Sequence, residues 1–233
     1  MEAEPNVEQE LREAFARIEV AVGEGDLDLA GLGFWRRVAQ VKRSRDLIER
    51  WAEQIARIDT AAFRAGVRRR VPVWAGNLVL LAELGAGVVA IVIAGDTGSA
   101  NIAGGAILVA GVAWSVAVHC PAHWVVGRAV GIRFTDYFLG GPFPPRPGLK
   151  SDYATYLRAS AIARAAMHAA GAIATKLAPF VALALAPAVA PKWSRVGLAI
   201  VGVVLLTTDL LFSVKTSDWK KVKRELEIAR SMG

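Results

Sequence analysis

Between residues 6 and 22 the apolar positions Val7, Leu11, Phe15, Ile18 and Val22 recur every three or four residues, with Glu and Arg among the residues between them. That spacing predicts an amphipathic helix with one apolar stripe. Gly23, Gly25, Gly31 and Gly33 end it, and Trp35, Val38, Val41, Ile48, Trp51, Ile55 and Ile58 predict a second long helix over about residues 34–68. Helices bury most area when such stripes face each other, so residues 1–70 are expected to form a helical hairpin rather than a ligand site.

The pattern then changes. Four apolar stretches, at roughly 72–94, 103–127, 160–187 and 195–214, each approach the 20 or so residues that a helix needs to cross hydrocarbon. With 54% hydrophobic residues in 233, the composition is too apolar for an ordinary soluble surface. The expected fold class is therefore all-α: a four-span transmembrane helical bundle over residues 71–215, preceded by the N-terminal hairpin. Arg64, Arg68, Arg69 and Arg70 precede the first span, whereas the loop DTGSANIA after it has no Lys or Arg. Arg128, Arg133, Arg146 and Lys150 mark the next loop, and Lys215, Lys220, Lys221, Lys223 and Arg224 the tail; only Lys192 and Arg195 oppose the pattern. The positive-inside bias thus puts hairpin, N-terminus and C-terminus in the cytoplasm of an integral membrane protein, with a prokaryotic plasma membrane as the expected location.

The net charge of +7 is explained by these flanking residues, which excludes nucleic acid as a partner. A single cysteine forbids an internal disulfide, and the start MEAEPNVEQE lacks the pattern of a signal peptide. In the tail, residues 216–233, Ser217 is a candidate N-cap, and Trp219, Val222 and Leu226 oppose lysines. Such a helix suits an anionic lipid surface or, equally, solvent. The segment GIRFTDYFLGGPFPPRPGLK, residues 131–150, is rich in Gly, Pro and aromatics and cannot be a spanning helix. It reads either as a re-entrant or surface loop covering a site or as a plain connector.

Candidate chemistry lies inside the apolar spans. His119 and His123, in HCPAH, stand one helical turn apart, a spacing that lets two imidazoles reach one metal ion. Two interfacial histidines hydrogen-bonded to neighbouring helices would give the same letters. Pro121 between them is expected to kink the span. His168, Glu83, Lys176 and Asp209 are also intramembrane, where ionisable groups are costly and mark function. By depth, His119, His123, His168 and Asp209 fall in one layer. Two histidines and Asp209 would make a zinc shell with an open fourth position. His168 is a fourth ligand, a group orienting Asp209, or a substrate contact, while Asp209 could instead pair with Lys215. Glu83 and Lys176 are expected to neutralise each other.

At these residues the chain resembles the site-2 protease family of zinc intramembrane metalloproteases. HCPAHWVVGRAVGIRFTDYFLGG resembles that family's HExxH helix and the segment after it, with His119 and His123 at ligand positions. HAAGAIATKLAP, from His168 to Pro179, resembles its Gly-Pro-x-x-Asn element, and LLTTDLLF the helix that donates the third ligand, here Asp209. The resemblance covers about residues 103–215. It implies a zinc cofactor and a transmembrane protein or peptide as substrate or partner. The departures are Cys120 at the family's general-base position, Ala172 for the Pro, Thr175 for the Asn, and the lack of the usual Pro and Gly around Asp209. A protonated thiol is a poor base, so the resemblance implies an impaired or non-proteolytic member unless Glu83 or Asp209 replaces the base. Cys120 could also be an apolar filler facing lipid. Two other classes fit the same histidine layer: a bundle that holds haem or transports a metal ion, and a structural membrane protein without metal.

Overall fold

The computed structural model describes residues 5–140, 146–211 and 217–232, apart from the side chains of Pro5, Arg146, Asp209 and Leu210. Ten helices dominate the described residues: α1 (Pro5–Gly23), α2 (Phe34–Val41), α3 (Arg45–Gly66), α4 (Val73–Asp96), α5 (Ala100–Ala117), α6 (His119–Ala129), α7 (Tyr153–Arg158), α8 (Ala161–Ala184), α9 (Lys192–Leu211) and α10 (Asp218–Met232). Three strands, β1 (Arg70–Pro72), β2 (Phe134–Gly140) and β3 (Arg146–Ser151), form one antiparallel sheet in the order β1-β2-β3. The chain divides into two compact units, one of residues 1–73, 127–164 and 224–233, the other of residues 74–126 and 165–223.

In the first unit the predicted stripes meet. Phe15 of α1 packs on Phe34 and on Trp51, with ring centroids 6.1 and 5.5 Å apart, and Leu11, Ile18, Val38, Ile55 and Ile58 are buried around them. The helix expected over 34–68 is interrupted. Its register restarts at Ser44, whose hydroxyl accepts from Leu47 N at 3.4 Å and caps α3, a local bond that competes with continuous helix. The Gly- and Pro-rich segment expected to be a loop also differs: most of it is strand, so the fold is not purely helical. Aromatic residues recur in FTDYFLG, Tyr137 is buried, and Pro147 is tolerated because β3 lies at the sheet's edge. Phe63 of α3 packs edge-on against Phe138 and lies under the Lys150 ammonium, which also pairs with Asp59.

One buried cluster of charge ties this unit together. Glu225, wholly buried, receives Lys42 Nζ at 2.6 Å and the Tyr156 hydroxyl at 3.0 Å on one oxygen, and Arg164 Nε at 2.6 Å on the other. Burial pushes the Glu225 carboxyl up, but the two cations outweigh it and hold it below the usual range. Burial lowers Lys42 to about 8 despite the nearby carboxylate. Between about pH 8 and 10.5 native Lys42 is therefore neutral while the unfolded lysine still binds a proton, so this group makes stability rise with pH across that window. Unfolding midpoints from pH 8 to 9.5 should show a rise in the wild-type chain that is missing in Lys42→Met; parallel curves would refute the sign.

In the second unit α4, α5 and α8, of 24, 18 and 24 residues, are long and apolar enough to cross a membrane, which marks the chain as a membrane protein. At about 1.5 Å per residue they measure roughly 36, 27 and 36 Å, against about 30 Å of hydrocarbon. On α4, Leu78, Val79, Leu81, Val88 and Val92 are exposed, as on a helix that meets lipid. Small residues fill the interior: Ala94, Ala103, Ala178, Ala182 and Ala190 surround Ile107 and Leu198, so backbones approach closely. Trp114 Nε1 donates to Leu84 O at 3.0 Å, directly over Gly87, where a Cβ would lie 2.1 Å from that nitrogen. The stretch expected over 103–127 is two helices rather than one. The stretch at 195–214 corresponds to α9, and residues 212–214 lie outside the described residues.

Candidate metal centre

The span expected around Pro121 is interrupted at Val118, three residues before the proline. Helix α5 ends at Ala117, Val118 N donates to Trp114 O at 3.0 Å, and α6 begins at His119, with Pro121 in its first turn. There its missing N–H costs nothing, because first-turn N–H groups have no helical partner. His119 and His123 remain on one helix, one turn apart, and their Nε2 atoms lie 3.3 Å from each other.

Helix α8 fixes the two rings. His123 Nδ1 is 2.6 Å from Met167 O, and a carbonyl only accepts, so this nitrogen carries a hydrogen. Thr175 Oγ1 donates to Gly171 O at 3.0 Å, so towards His119 Nδ1, also 3.0 Å away, it acts as acceptor. His119 Nδ1 then carries a hydrogen too. In their neutral forms both rings turn an Nε2 lone pair towards the same point, the arrangement that outer partners impose on metal-binding histidines. Gly171 makes room for it: a Cβ there would fall 2.2 Å from His123 Nε2.

The carboxylate at that point is Asp218. It is the first residue of α10, where Ser217 Oγ accepts from Lys220 N at 3.4 Å as the sequence predicts. Asp218 Oδ2 lies 3.2 Å from His123 Nε2 and 3.3 Å from His119 Nε2. Its other oxygen receives Lys221 Nζ at 3.0 Å and lies 3.8 Å from His168 Nδ1. Burial pushes this carboxyl up, but the His123 contact and Lys221 outweigh it and hold it well below the usual carboxylate range. His168 thus joins the cluster by facing the carboxylate oxygen turned away from the histidine pair.

The three acceptor atoms form a near-equilateral triangle with edges of 3.2, 3.3 and 3.3 Å. Three lone pairs so placed repel each other unless a proton or a metal ion lies between them, and His119, His123 and Asp218 are grouped so that they could hold a metal. The His119 side chain is 36% exposed against 10% for His123, which leaves one side of the triangle open. The side chain of Asp209, the expected third ligand, lies outside the described residues. Sequence reasoning missed Asp218 because it follows the last apolar stretch and read as part of a surface tail. The available signal was an acidic residue in the first turn of a helix that begins where the span returns to the histidines' side. Cys120 is 4% exposed, so it packs inside rather than facing lipid. Glu83 is half-buried on α4. The chain matches no protein-family model, no curated protein and no solved structure.

Proposed function

We propose that this is an integral membrane protein that binds one zinc ion through His119, His123 and Asp218, in a core of site-2 protease type that is impaired in peptide hydrolysis and engages a transmembrane protein or peptide. The observation that carries the reading is the triangle of lone pairs. Ligands held tetrahedrally at about 2.0–2.1 Å from zinc lie about 3.3–3.4 Å apart, which the three edges match. Gly171 and Thr175, placed by the resemblance in the Gly-Pro-x-x-Asn element, both bear on the histidine rings, which supports it independently. Zinc with three protein ligands and an open fourth position polarises a carbonyl and activates water. The chain's own residues orient the rings through Met167 O and Thr175, hold Asp218 through Lys221 and His168, and offer Cys120 where a base would stand.

The same proposal takes the apolar helices as four spans with both termini and the hairpin of α1 and α3 in the cytoplasm, from the distribution of Lys and Arg. A haem between the paired histidines is disfavoured, since their ring centroids are 4.7 Å apart on a single helix and leave no room for a macrocycle. Elemental analysis of purified protein tests the metal, with about one zinc per chain expected. Cys120→Glu tests the base: it should gain zinc-dependent cleavage of a transmembrane test substrate, by about 10²–10⁴ in rate over the unmodified chain. Metal-free protein after incubation with zinc would end the reading. Zinc-dependent cleavage by the unmodified chain that survives Cys120→Ala would show that another group supplies the base.

A further inference from the structure

Arg164, His168, Gly171 and Thr175 follow one another at intervals of four, three and four residues, which puts them on a single face of α8. Thr175 Oγ1 meets His119 Nδ1 at 3.0 Å, and Gly171 makes room for the His123 ring. His168 Nδ1 lies 3.8 Å from Asp218 Oδ1, and Arg164 Nε donates to Glu225 Oε2 at 2.6 Å. These last two links reach the same helix. Asp218 and Glu225 stand seven residues apart on α10, two turns and about 10.5 Å along one face.

Helix α10 is unbroken from Asp218 to Met232, so a lengthwise shift at Glu225 reaches Asp218 as through any rigid element. Glu225 is held against such a shift. Its two oxygens accept from Lys42 Nζ and Arg164 Nε, each at 2.6 Å, and none of its side chain is exposed. Lys42 in turn caps the C-terminus of α2 and lies 4.7 Å over the Tyr156 ring. Parting a buried ion pair from one side is costly, which fixes where the carboxylate sits. At the metal end the tolerance is small: Asp218 Oδ2 lies 3.2 and 3.3 Å from the two Nε2 atoms, and a zinc ligand keeps its distance within about 0.2 Å.

We propose that Glu225 is a positioning residue for the metal centre: its bonds to Arg164 and Lys42 fix α10 lengthwise, hold Asp218 at the histidine pair and, through Lys42, make metal affinity depend on the N-terminal hairpin. This regulation rests on zinc being held by His119, His123 and Asp218.

Zinc affinity of the full chain in detergent at pH 7, from competition with a chromophoric chelator, tests it. Lys42→Met keeps the Arg164–Glu225 pair and so keeps the fold; Lys42→Met with Glu225→Gln removes the carboxylate as well. The first should weaken zinc binding several-fold and the second about tenfold, the lower end of what an outer partner of a metal ligand is worth. A general loosening of the fold would weaken binding whatever the ligands are, so both variants are repeated on Asp218→Asn, with zinc raised to reach the weaker site. There the loss should vanish, because the residue through which Glu225 acts is gone. Unchanged affinity in either variant, or a loss that persists on Asp218→Asn, overturns the proposal and leaves the zinc centre standing. A wild-type chain that binds no zinc ends both.

Discussion

Asp218→Asn should weaken zinc binding by about two to three orders of magnitude, because a full four-ligand zinc shell is worth about 10–16 kcal/mol and one ligand about a quarter of that. His123→Ala should do at least as much, since it removes a ligand and also the ring packed over Gly171. Thr175→Val leaves all three donor atoms but frees His119 Nδ1, so a smaller loss, about 10–100-fold, is expected. The decisive comparison is Asp209→Asn, which should keep its zinc. Competition titrations against a chromophoric chelator measure all four. If Asp209→Asn loses the metal while Asp218→Asn retains it, the carboxylate assignment is wrong even though the histidine pair stands.

The second large effect belongs to Glu225. Glu225→Gln leaves Lys42 and Arg164 buried at 3% and 1% exposure without their shared counter-charge, and breaking a buried ion pair from one side costs about 3–5 kcal/mol. Tyr156→Phe removes one neutral donor to the same carboxylate and should cost about 1 kcal/mol. Replacing Lys42 as well should recover much of the loss, since Lys42→Met with Glu225→Gln removes both members of one pair. Chemical denaturation of the wild-type chain, Lys42→Met, Glu225→Gln and their combination forms a double-mutant cycle. Additive losses would mean that the cluster does not act as a unit.

Most helices are legible in the sequence because their signals are local: an apolar stripe at helical spacing in α1, and apolar runs near 20 residues in α4 and α8. The i, i+4 histidines are legible for the same reason, since one helix fixes their geometry. What fails is set by distant partners or by competing local bonds. Strand β2 has no clean alternation of apolar and polar residues, sits among Gly, Pro and aromatic residues, and pairs with Arg70–Pro72, more than 60 residues earlier. The Lys42–Glu225 pair spans 183 residues, and nothing near Lys42 in sequence distinguishes it from surface lysines. Asp218 is 95 residues from His123, so only the folded chain reveals which carboxylate meets the ring.

That separation would give an ion bound at this point a mechanical role. Helices α8 and α9 lie between the histidines of α6 and Asp218, so one metal ion would shut a loop of 95 residues. In the unfolded chain such a closure restricts freedom much as a disulfide of that span does, about 4–5 kcal/mol by loop entropy. Unlike a disulfide, the clasp opens by losing a single ligand at the start of α10, and a chelator then releases both apolar helices from one tether.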